Sequence, residues 1–97
     1  MTMQVIQYPA FERVVKKLHP NAKKDLDKAI KTLNLNPNAG DLKKGDLNGI
    51  RVFKFKMVQQ LTLLAYKFNE AEKTLVFLAL GSHENYYKDL KNKQKKR

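Results

Sequence analysis

The chain has 97 residues, with 20 Lys+Arg against nine Asp+Glu, no cysteine and a formal net charge of +11. That length suits a single domain over residues 1–97, and 42% hydrophobic residues suffice to fill its core. Without cysteine there is no disulfide framework, thiolate nucleophile or Cys-bound metal cluster, and two histidines are too few for a four-ligand site. No apolar run approaches the ~18–20 residues that span a bilayer, and the N-terminus lacks the basic-then-apolar pattern of a signal peptide. The expectation is a soluble, cytoplasmic, strongly basic domain with no membrane contact, no metal and no cofactor.

Residues 3–8 read as a short β-type run closed by Pro9. Phe11, Val14, Val15 and Leu18 then recur at i, i+3, i+4 and i+7, which predicts an amphipathic helix of about two turns. His19-Pro20-Asn21 interrupts it, because proline disfavours a helical residue before itself and suits a new helix start. Ala22, Leu26, Ile30 and Leu33 carry a second, longer helix to about Leu35, ended by the turn residues of the run Asn34 to Gly40. Two helices packed as a hairpin are expected.

From Gly49 the period changes from 3.6 to 2. Phe53, Phe55 and Met57 point one way; Val52, Lys54 and Lys56 point the other. Residues 61–68 and 74–80 are further β-type runs, and the loop over 69–73 lets them pair antiparallel. Both are apolar on both faces, so they belong at the centre of the sheet. Ser82 is a good N-cap for a final short helix to about Leu90, with Glu84 in its first turn. Residues 91–97 read as a frayed basic tail. The result is an α+β domain: an N-terminal helical hairpin on one face of a mostly antiparallel sheet of about four strands, then a short C-terminal helix.

The excess charge is spread along the chain: net +4 over residues 1–35, zero over 36–50, +3 over 51–80 and +4 over 81–97. A basic body, as opposed to a basic tail alone, points to a polyanion or an acidic protein partner. No P-loop, dinucleotide fingerprint, HExxH or Gly-x-Ser-x-Gly motif is present. Asp25, Asp27, Asp41 and Asp46 read as solvated carboxylates. Two clusters remain. Arg51, Lys54 and Lys56 lie on the first long strand, where Lys54 and Lys56 sit roughly 7 Å apart on one face; they suit a nucleic-acid backbone, or else they guard a strand edge against pairing. In the second, His83 and Tyr87 share a helix face at i and i+4. Near a helix N-terminus and among cations, a neutral imidazole can accept a proton, and Tyr87 can stack on a base. The alternative is a cap and two packing tyrosines.

The element order and several of these residues resemble the RelE/ParE superfamily of toxins from bacterial type II toxin–antitoxin modules. The resemblance is carried by the helical hairpin, Leu47-Asn48-Gly49, Arg51 with the basic strand Phe53-Lys54-Phe55-Lys56, Ala65-Tyr66, and Leu80-Gly81-Ser82-His83. The Lys-x-Lys strand is similar to RelE proper, and His83 with Tyr87 is similar to the YafQ branch. The resemblance implies endoribonucleolytic cleavage of mRNA on the ribosome, without metal, by attack of the RNA's own 2′-OH. His83, Lys54, Lys56 and Tyr87 would be catalytic, with Arg51, Lys43, Lys44, Lys88 and Lys91 holding RNA phosphates. It further implies a cognate antitoxin whose acidic, partly disordered segment wraps the basic surface. ParE-type members share the fold but poison DNA gyrase by protein contact, which is the rival expectation; a plain RNA-binding module is a third.

Overall fold

The computed structural model describes residues 3–43 and 49–82. The elements, in order, are β1 (Gln4–Gln7), α1 (Pro9–Lys16), α2 (Pro20–Leu35), β2 (Asp41–Leu42), β3 (Arg51–Met57), β4 (Gln60–Asn69) and β5 (Thr74–Gly81). Prolines set both helix starts: Pro9 and Pro20 each stand in the first turn, where the missing N–H costs nothing. The helix expected after Ser82 lies outside the described residues. Among the described residues, no helix is long and apolar enough to cross a membrane.

The strands form one five-stranded sheet in the order β1-β5-β4-β3-β2. β4 and β5 are central, as their two-sided apolar pattern requires. The count corrects the expectation of about four strands, and the sheet is mixed: three of its four pairings are antiparallel and one is parallel. β1 runs parallel to β5, with Gln4 beside Thr74 and Gln7 beside Phe77. β2 is a fifth strand of two residues, too short to carry any period; it pairs with Arg51 and Val52 and is extended by the Lys43 N–H donating to the Ile50 carbonyl at 2.9 Å.

The helices cover one face. Phe11 of α1 and Leu26 and Leu33 of α2 pack on Leu64, Tyr66, Leu75, Phe77 and Leu80. Phe11 meets Phe77 at 5.2 Å between ring centroids, tilted by 39°. Removing a fully buried Phe or Leu side chain from such a core costs about 2–5 kcal/mol. The other face carries a second buried cluster of Ile50, Ala65, Leu78 and Ala79. A bulge makes both clusters possible. Ala65 pairs with Ala79 but Tyr66 pairs with Phe77, so Leu78 is an extra residue on β5. Phe77 and Leu80 can therefore both face the helices although they are three residues apart.

The β3–β4 hairpin turns through Val58 (φ 51°) and Gln59 (φ 67°), the two positive values of a two-residue type I′ turn. A β-branched residue is strained there. The Val58 N–H donates to the Asp25 carboxylate at 2.8 Å, which fastens the turn to α2. Val58 is exposed, so replacing it loses little burial. Val58→Asn is expected to raise stability by about 1 kcal/mol, because asparagine tolerates the left-handed region. A thermal melt a few degrees higher than wild type checks this.

Candidate nucleic-acid interface

β3 positions the two lysines by simple alternation. Phe53, Phe55 and Met57 pack towards the helices, and the Phe53 and Phe55 rings stack at 6.0 Å. That anchoring fixes the rotation of the strand and leaves Lys54 and Lys56 exposed. They stand opposite Leu63 and Leu61 of β4, roughly 7 Å apart along the strand. Neither lysine makes an ion pair with a described residue, so both ammonium groups are available to an incoming anion.

Arg51, grouped with these lysines in the sequence, is separated from them. Its position in the alternation puts it with Phe53, on the helix side. There its Nη1 donates to the Gly40 carbonyl at 2.8 Å and to the Asn38 carbonyl at 3.3 Å. Arg51 thus braces the connection between α2 and β2. Lys43 is half-buried beside that connection. Lys44, His83, Tyr87, Lys88 and Lys91 lie outside the described residues.

The sheet register relates the strand ends to each other. Lys54 pairs with Leu63, and Leu63 pairs with Gly81. Lys54 and Gly81 therefore lie in one row, two strand spacings or about 10 Å apart. The end of β5, from which the chain continues to Ser82, comes to the level of the lysine pair.

Two features were not legible as sites. Asp25 is not a solvated carboxylate: it is half-buried and holds the Val58 N–H. Tyr66 is fully buried, donates its hydroxyl to the Pro37 carbonyl at 2.7 Å and accepts the Gly40 N–H at 2.9 Å. Burial pushes its phenol above the ordinary 10.0, opposed by the Gly40 hydrogen bond and the nearby Arg51 charge. Asp27 and Asp41 are exposed, as expected; Asp46 lies outside the described residues.

Comparison with known proteins decides the family. Residues 5–91 match the ParE-like toxin of type II bacterial toxin–antitoxin systems. The chain belongs to this family. It is a type II toxin of the RelE/ParE superfamily, as the ordered motifs implied. No match was found among the curated proteins. Among solved structures, a double mutant of the E. coli toxin RelE in the free state is similar, with TM-score 0.72 and 15% identity, covering 95% of this chain and 98% of that one. The toxin in the RelBE2 toxin–antitoxin complex from Mycobacterium tuberculosis has TM-score 0.70 and 19% identity, covering 86% and 100%. The toxin in the intact E. coli RelBE complex has TM-score 0.68 and 15% identity, covering 84% and 98%. At these identities the likeness is one of fold.

Proposed function

We propose that this toxin is an endoribonuclease that cuts mRNA on the ribosome, and that Lys54 and Lys56 engage the scissile phosphate. The observation that carries the reading is the exposed, unpaired lysine pair in one row with the end of β5, on a RelE-like fold. The RNA's 2′-oxygen attacks the adjacent phosphorus while the P–O5′ bond breaks, leaving a 2′,3′-cyclic phosphate and a 5′-OH. His83 takes the 2′-OH proton, since an imidazole is largely neutral near pH 7 and an alkylammonium is not. Lys56 and Lys54 offset the charge on the crowded phosphoryl oxygens, and one of them supplies the proton to the leaving 5′-oxygen. Tyr87 stacks on the nucleotide. Lys43, Lys44, Lys88 and Lys91 hold phosphates away from the reacting one, and Arg51 sets the strand from which the pair projects.

The partner that silences the toxin is a cognate antitoxin. Similar toxins have been solved bound to theirs, and a +11 chain suits an acidic segment that folds as it binds. The family description favours one rival, a ParE-type inhibitor of DNA gyrase. Inducible expression followed by 5′-end mapping of cellular mRNA separates the two. Cut messages are expected, with His83→Ala lowering their yield by about 10²–10⁴-fold, the range of general base catalysis. Intact messages with SOS induction and cleaved DNA would establish the gyrase reading instead.

A further inference from the structure

A cleft that shares Lys56 with the proposed scissile site lies between α2 and β3. Asp25, Lys28, Ala29 and Thr32 form one wall and Phe53, Phe55 and Lys56 the other, enclosing about 190 Å³. It exists because β2 pairs only with Arg51 and Val52. Among the described strands, none lies beyond residues 53–57 of β3, and α2 passes along that edge.

Three properties of the cleft point to the same ligand. Its apolar floor is the stacked pair Phe53 and Phe55, both half-buried, in a volume that admits a flat ring but no folded element. Its rims carry Lys28 and Lys56, both exposed and neither in an ion pair with a described residue. Its one carboxylate, Asp25, is turned to the Val58 N–H, and Thr32 Oγ1 donates to the Lys28 carbonyl at 3.1 Å. The charge continues on both sides. Lys24, Lys28 and Lys31 form an exposed stripe along α2 at i, i+4 and i+7, and Lys56 leads to Lys54 along β3. Cations spaced along a groove with aromatic rings at its floor are the means by which proteins hold single-stranded nucleic acid.

We propose that this cleft is an accessory RNA subsite: one unpaired nucleotide places its base against Phe53 and Phe55, and its flanking phosphates lie on Lys28 and Lys56. Lys56 then belongs to both places, so the strand bound in the cleft is led directly to the Lys54–Lys56 pair. The inference rests on the ribonuclease reading and extends it, because it assigns α2 to substrate capture.

The test measures binding of a short single-stranded RNA to the purified toxin by fluorescence anisotropy over a range of salt, with message cleavage assayed separately. Lys28→Ala is expected to weaken binding about fivefold or more and to lower the slope of log K against log[salt] by roughly 1. Thr32→Trp, which fills the cleft from an exposed position on α2, is expected to weaken binding about tenfold by displacing the base. Lys23→Ala removes the same charge from the opposite side of α2 and is expected to change the affinity less than twofold. A thermal melt checks that each variant is folded, and Lys28→Ala carries the test if Thr32→Trp is not. Equal losses for Lys23→Ala and Lys28→Ala would overturn the subsite in favour of diffuse attraction. Unchanged RNA affinity in Thr32→Trp with antitoxin binding lost would overturn it in favour of a protein-docking cleft. In both cases a wild type that still cuts message leaves the ribonuclease reading standing; a wild type that neither binds nor cuts RNA removes both.

Discussion

Replacing Lys54 and Lys56 together by alanine will abolish growth arrest and lower message cleavage by at least about 10²–10³-fold, the usual loss when charge stabilisation at a reacting centre is removed. The protein should remain folded. Both side chains are exposed, and exposed substitutions away from packing features usually change stability by less than about 0.5 kcal/mol. With a net charge of +11, removing two cations relieves self-repulsion, so the change is expected to be towards stability. Cleavage of a defined message by the purified double variant, with circular dichroism and a melt alongside, checks both halves. Arrest at wild-type strength by a folded variant would remove this strand from the reacting centre. Arginine in place of both lysines should restore phosphate binding but not the full rate: a guanidinium keeps its proton and cannot hand it to the leaving oxygen.

Hydrophobic period carried most of the fold. The helices were legible because the apolar residues keep to one stripe and Pro20 marks the second start; Pro9, which reads as the end of a strand, also opens α1. β4 and β5 were legible as central because their residues are apolar on both faces. What the period could not show was non-local or very short. Asp41 and Leu42 form a strand only because Arg51 holds the Gly40 carbonyl beside it and Val52 offers an edge. The parallel placement of β1 against β5 depends on where two helices return the chain. The extra Leu78 reads as one more apolar residue in a continuous run; only the pairing of Ala65 with Ala79 and Tyr66 with Phe77 reveals it.

The site divides in the same way. Lys54 and Lys56 could be placed together from the sequence, since i and i+2 on a strand share a face. The same rule separates Arg51 from them, and the carbonyls of Asn38 and Gly40 give it other work. Asp25 resembled any polar-face carboxylate until the β3–β4 turn was seen to come within 2.8 Å of it. The cleft on α2 needed two elements 20 residues or more apart in sequence, Asp25 to Thr32 and Phe53 to Lys56. No local pattern encodes such a meeting.

Gly40→Ala and Tyr66→Phe should each destabilise the fold where the helix-side core meets the loop before β2. A Cβ on Gly40 would stand 2.7 Å from Tyr66 Cε1 and 2.8 Å from its hydroxyl oxygen, and the ring is fully buried with no room to retreat. Overpacking of this kind costs about 1–3 kcal/mol. Tyr66→Phe keeps the ring but strands the Gly40 N–H and the Pro37 carbonyl that the hydroxyl now joins, again about 1–3 kcal/mol. Each kilocalorie should lower the melting temperature of a domain this size by roughly 4–8 °C. The consequences reach the lysine strand, because the loop held by Tyr66 is the one to which Arg51 fastens β3. The pH dependence distinguishes this latch from simple packing. The phenol titrates above 10.0 in the folded chain because burial disfavours its anion. Its contribution is therefore fully present below 10.0 and is lost as pH rises from there through the higher folded value. Wild type should lose stability more steeply than Tyr66→Phe over that alkaline interval, while the two run parallel at neutral pH. Parallel curves throughout, or an unchanged melt in Tyr66→Phe, would mean that the hydroxyl does not hold the loop.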